Sequence, residues 1–248
     1  MSAIGKNSRA SRESKDSPGP LQLPLGIRLN DECRFENYHI SEANQPLLDA
    51  LLDTSPPDLL YICSQPQQGL SHLLQALCHQ QSQQPDEGAA FYLPMEECLE
   101  LGPELLEGVS QLGLLCIDDL HLIAGNAAWE TAVFNAFNEI HDSHTRLVIG
   151  ARDRATELQL SLPDLQSRLQ LAPLYQLQML DDEDKKQLLQ LRARARGMNL
   201  SPAVAAYILA RTERSLNALI KVLDALDASS LAHQRPLTIP LVRDTMVW

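Results

Sequence analysis

Residues 60–77 read LYICSQPQQGLSHLLQAL, an apolar run that passes through a polar loop into a segment with leucines at 70, 73, 74 and 77. The run is short enough for a buried strand, and the i, i+3, i+4, i+7 spacing marks one face of a helix. Strand, loop and helix in this order form the corner at which many proteins cradle a nucleotide phosphate. Backbone amides curl around the anion, a lysine neutralises it, and a hydroxyl holds magnesium. Against the pattern G-x-x-x-x-G-K-[ST], Ser64 stands at the first glycine, Gly69 at the second, Leu70 at the lysine and Ser71 at the hydroxyl. A charge-assisted hydrogen bond is worth roughly 1.5–3 kcal/mol, so losing the lysine alone predicts binding weaker by about ten- to over a hundredfold. Leu70 also has a plain structural reading, as an extension of the helix's buried stripe. Either way, a self-sufficient ATPase is not expected.

Working outward, strands and helices alternate. Leu59–Cys63 reads as strand one, followed by a helix over about Ser71–Gln81. Ala89–Leu93, Leu114–Ile117, Arg146–Gly150 and Leu174–Met179 read as further strands. AAWETAVFNAFNEIHD (127–142) is a helix with Trp129, Val133, Phe137 and Ile140 on one face. Such alternation predicts an α/β fold, a parallel sheet with helices on both faces. After Met179 the pattern is helical only. DDEDKKQLLQLRARARG (181–197) opens acidic and closes with arginines and Gly197, as the helix dipole favours. SPAVAAYILA, RSLNALIKVLDALDASS and IPLVRDTMVW follow. Residues 28–180 are therefore expected to form the α/β core and 181–248 a small all-helical lid, with no internal repeat. Residues 1–20 are polar and charged and are expected to be disordered.

The chain has 248 residues, 44% of them hydrophobic, which supports one full domain plus a small one. The 32 acidic residues exceed the 20 basic ones, for a net charge of −12. That balance opposes a protein whose main work is gripping a phosphodiester backbone. The five cysteines are scattered, without a CxxC pair, as expected of buried thiols in a reducing cytoplasm. No secretory signal or membrane span is read, so a cytoplasmic location is expected.

GLLCIDDLHLI (113–123) supplies the other half of a nucleotide site: a buried strand ending in Asp118 and Asp119. Carboxylates at such strand ends commonly hold magnesium, with Asp118 facing the metal and Asp119 a water. Strand ends are also polar for ordinary reasons of solvation. His141 and His144 form H-x-x-H, but no third ligand lies in reach and no metal site is expected. G-x-S-x-G is absent and nothing signals thiol catalysis.

With the aspartates, the degenerate loop and the helical lid, the chain resembles the DnaA-related AAA+ family, and in particular its shorter, Hda-type members. Four stretches carry the likeness: FENYHISEANQPLLDAL (35–51), LLCIDDLHLIAG (114–125), LPDLQSRLQLAPLYQLQMLDDEDK (162–185) and HQRPLTIPLVRDTM (233–246). The resemblance implies an AAA+ P-loop-type core with a lid. It implies an arginine finger at Arg168 that acts in trans on the ATP of DnaA, and hence a regulator of replication initiation that is not itself an enzyme. QLPLGI (22–27) resembles the family's clamp-binding motif, with Gln22, Leu23, Leu25 and Ile27 at the pattern positions. The implied partners are DnaA and the sliding clamp, the beta subunit of DNA polymerase III, with self-association also open. No membrane contact or direct sequence-specific DNA binding is expected, since the sequence stops where DnaA continues into its DNA-binding domain.

The family further implies bound ADP, with or without magnesium, at Ser64, Gly69, Ser71, Asp118, Asp119 and Arg214. Leu70 and Ser64 depart from that pattern. So does Arg152, where the family often has an acidic or small polar sensor, and so does Asn217, at the place of the lid's sensor arginine. Two rival readings are a factor that hydrolyses its own nucleotide, opposed by Leu70, and an initiator-like DNA-binding module, opposed by the charge.

Overall fold

The computed structural model describes residues 28–53, 58–141, 143, 145–233 and 237–246. The expected tail, the 22–27 peptide and His144 lie outside these residues. Five strands form one parallel sheet: β1 (Leu59–Cys63), β2 (Ala90–Pro94), β3 (Leu114–Asp118), β4 (Arg146–Ala151) and β5 (Leu174–Gln176), in the order β2-β3-β4-β1-β5. From β1 the chain crosses to the far edge, returns through β3 and β4, and finally places β5 on the other side of β1. The order therefore reverses at β1, and its C-terminal end is the crevice where open α/β sheets take ligands. Cys63 lies opposite Ala151, which brings the loop after β1 level with the end of β4.

Alternate residues of β1 feed two cores, as the two-residue strand period requires. Leu60 and Ile62 pack with Leu47 and Leu51 of α1 (Gln45–Leu52) and with Leu73, Leu74 and Leu77 of α2 (Leu70–Gln81). After β2 comes a single turn, α3 (Met95–Cys98). On the opposite face Tyr61 and Cys63 join the cluster built by α4 (Ala127–His141) and α5 (Pro163–Leu171). Trp129, Val133, Phe137 and Ile140 of α4 are all buried, as their spacing predicts. Glu130 is also fully buried, and both carboxylate oxygens are satisfied: Gly125 N–H donates at 2.8 Å and Leu162 N–H at 2.7 Å. This pairing fixes the start of α5 against α4.

The lid comprises α6 (Asp182–Ala195), α7 (Pro202–Leu209), α8 (Leu216–His233) and α9 (Ile239–Met246) around a core that includes Leu189, Ile208, Leu223 and Val242. Asp181 and Asp184 close a capping box over the start of α6, and Ser201 caps α7 with Pro202 following it. No helix among the described residues is long and apolar enough to cross a membrane. All five cysteines are free thiols, Cys33 half-buried and the other four buried.

One strand is shorter than its sequence pattern. Leu174–Met179 reads as a strand, but β5 stops at Gln176, because Asn44 takes both backbone groups of Gln178 (2.9 and 2.8 Å) and turns the chain toward the lid.

Candidate functional site

A cleft of about 640 Å³ lies between the C-terminal ends of β1, β3 and β4 and the lid. Its floor is the 64–71 loop. Ser64 N–H donates to Ala151 O at 2.9 Å and the Cys63 thiol to Arg152 O at 3.0 Å, which ties the loop's start to the end of β4. Gln67 and Gly69 have left-handed backbone, with φ of 64° and 92°. A side chain at position 69 would also place its Cβ 3.1 Å from the Tyr38 ring, so glycine answers two demands there. With Gly69 as N-cap, no side chain takes the first amides of α2. Uncapped amides at such a position favour an anion.

Leu70 lines the cleft next to Ser71 but brings no charge into it. It leans onto β4, where a Cβ built on Gly150 would fall 2.9 Å from Leu70 Cδ2 and 3.1 Å from Asp118 Oδ1. Partly buried, it packs against the core cluster behind α2.

Asp118, expected to face a metal, is 3% exposed and occupied by protein donors. Tyr92 Oη–H donates to Oδ2 at 2.8 Å and Asp119 N–H to Oδ1 at 3.0 Å. Burial raises its pKa, while the hydroxyls of Ser71 and Tyr92 hold it down. Asp119, 30% exposed on its side chain, lies 3.8 Å from His121 Nδ1 and 4.0 Å from Arg152 Nε. Ser64, Gly69, Ser71, Asp118 and Asp119 all line the cleft. Arg214 does not: it pairs with Asp182 on the first turn of α6, 3.1 Å from the nearer carboxylate oxygen.

Two lid cations that sequence reasoning did not single out do line the cleft, Arg192 and Lys221. Arg192 Nη2 donates to His72 Nδ1 at 2.9 Å. A guanidinium only donates, so Nδ1 is bare and Nε2–H must donate to Arg34 O at 2.8 Å. Burial, the leading cause, pushes the His72 pKa down to about 4. Arg196 in turn meets Glu32 at 3.0 Å and Asp224 at 2.7 Å.

Arg168 lies elsewhere, on the last turn of α5. Its guanidinium sits 5.1 Å over the Phe134 ring of α4, and it is not part of the cleft lining. Beside it Leu171 is 84% exposed.

Residues 29–174 match the family model of the bacterial DnaA ATPase domain, and residues 182–246 match that of the Hda lid domain. Domain III of the Thermotoga maritima replication initiation protein DnaA superposes with a TM-score of 0.76 at 21% identity, covering 89% of this chain and 98% of that one. AMPPCP-bound DnaA from Aquifex aeolicus gives 0.65 at 19% identity, covering 82% and 68%. The Thermotoga maritima RuvB Holliday junction branch migration motor gives 0.61 at 16% identity, covering 83% and 66%. At these identities the structures establish a shared fold.

Proposed function

This chain belongs to the family of the bacterial DnaA ATPase domain, and on that premise we propose that it is a negative regulator of replication initiation acting on the ATP of DnaA. Tethered by residues 22–27 to the DNA-loaded sliding clamp, it presents Arg168 in trans to the DnaA nucleotide. The chemistry there needs a cation aimed at charge developing on the transferred phosphoryl group, an effect worth roughly 10³–10⁵ in rate in well-studied systems. The observation that carries the reading is the separation of parts. Arg168 stands apart from the chain's own cleft, braced over Phe134, while that cleft has Leu70 packed where a hydrolase needs lysine. Bracing limits the side-chain freedom lost on docking, and the planar guanidinium suits phosphate oxygens.

The chain's own cleft fits a nucleoside diphosphate such as ADP. Its volume, the uncapped amides of α2 and the cationic Arg152 and Lys221 suit the anion. Gln68 Oε1, buried without a hydrogen-bond partner, is a group that a ligand can satisfy. The donor set suits magnesium poorly, because both oxygens of Asp118 already accept hydrogen bonds. Bound nucleotide would bridge core and lid, and no hydrolytic step is assigned to it.

The test is the loss of ATP from ATP-loaded DnaA in the presence of DNA-loaded clamp, with this protein added or omitted. Acceleration is expected, and Arg168→Ala is expected to remove nearly all of it while costing about 1 kcal/mol of folding stability, the worth of a partly exposed cation–π contact. Leu23→Ala with Leu25→Ala should likewise remove the acceleration seen with the DNA-loaded clamp. Full acceleration by Arg168→Ala would overturn the proposal.

A further inference from the structure

We infer that the cleft binds its nucleoside diphosphate without a magnesium ion, and that Arg152 supplies the countercharge a phosphate-loop lysine supplies elsewhere. The inference rests on the reading of the cleft as an ADP site and adds how the charge is met. Three observations converge on it.

The two usual sources of positive charge are missing or hindered. Leu70 fills the lysine position and is packed over Gly150, which has no side chain to displace it. The carboxylate that would carry the metal lies just behind, with Tyr92 and Asp119 donating to its two oxygens at 2.8 and 3.0 Å. A magnesium ion demands near-octahedral oxygen ligands and keeps its waters, so a carboxylate held inward by a phenol recruits it poorly.

Arg152, by contrast, is placed and free. Its backbone carbonyl accepts from the Cys63 thiol, and the preceding carbonyl accepts from Ser64 N–H. The side chain therefore starts level with the first residue of the phosphate loop, and the residue lines the same cleft. Its side chain is 51% exposed, and among the described residues its one ion-pair partner is Asp119, at a loose 4.0 Å through Nε. A contact of that kind is weak and screened. A phosphate offers the guanidinium two parallel charge-assisted bonds instead.

The arginine on the lid side of the cleft is committed. Arg192 is spent on His72 and on Glu32, whose carbonyl lies at 3.2 Å. Lys221 remains as a flexible second cation at the cleft's lid side.

The experiment is ADP titration by calorimetry on the full chain, in EDTA and in excess magnesium. The expected result is one affinity in both buffers, within about twofold. Arg152→Ala should weaken binding by at least about tenfold, with Arg152→Lys recovering part of the loss. Lys221→Ala should cost less than Arg152→Ala. Because Arg152 is half exposed, melting without ADP should be unchanged, so a lost fold does not mimic a lost contact. Loss of binding in EDTA, or wild-type affinity in Arg152→Ala, overturns the inference while leaving the ADP site standing. No binding by the unaltered protein in either buffer removes the ADP site, and this inference with it.

Discussion

His72 is a histidine whose charged form the lid excludes. Arg192 requires a bare Nδ1, and burial sets the pKa at about 4, against an ordinary value of 6.5. The unfolded chain takes up a proton as pH falls below about 6.5, and the folded chain does so only near 4. Over that window the unfolded state binds more protons, so stability is full above it and declines as pH falls through it. The loss attributable to this residue is on the order of 3 kcal/mol. His121, also lowered by burial, adds in the same direction. Denaturant unfolding at pH 7 and pH 4.5 should show the decline. His72→Asn keeps an acceptor for Arg192 but cannot titrate, and should show a smaller one; an equal decline would acquit His72. None of this was legible in the sequence, because the two partners of His72 lie 38 and 120 residues away. Leu70 was legible in part, since its stripe spacing predicted its packing against the core, though it is only partly buried. The Tyr92 hydroxyl on Asp118 was not, because pairing across two strands leaves no periodic trace.

Among the elements, the segment over residues 30–39 decides how the lid sits. It runs between α2 and α6 and bonds to both. Asn30 N–H donates to Gln75 at 2.8 Å, Glu32 meets Arg196 at 3.0 Å, and His39 meets Asp184 at 2.9 Å. The lid is thus strapped to the core by this segment. Glu32 is 54% exposed on its side chain, so Glu32→Ala should cost only about 1 kcal/mol. It should nevertheless speed amide exchange at the end of α6 while leaving β1 and β4 protected. Equal protection throughout would show that apolar packing alone seats the lid. The strands and helices were readable because each carries its own period and caps. The strap was not, because its apolar residues follow no period and its bonds are made to helices far along the chain. Arg192 and Arg196 read simply as favourable charges at a helix C-terminus, which is true locally and omits what they hold. The length of β5 was misread because Asn44, more than a hundred residues upstream, ends it.

Across the whole molecule, the cleft and Arg168 occupy different regions of the core, one at the strand ends and the other on the α4–α5 side. Arg168→Ala should therefore leave ADP affinity within about twofold of wild type, measured by the same titration. A larger drop would mean that one copy's arginine enters another copy's cleft, the self-association left open by the sequence. The borders of the sheet carry a last consequence. β2 ends at Pro94 and is followed by Glu96 and Glu97, while β5 is three residues long and follows Pro173. Proline offers no amide hydrogen, and so short a border gives a foreign chain little to zip onto. Neither rim of the sheet invites strand addition, either by a binding peptide or by a misfolded copy. Leu171, exposed beside Arg168, can stay bare without seeding fibrous growth, and a partner must recognise this molecule through its side chains.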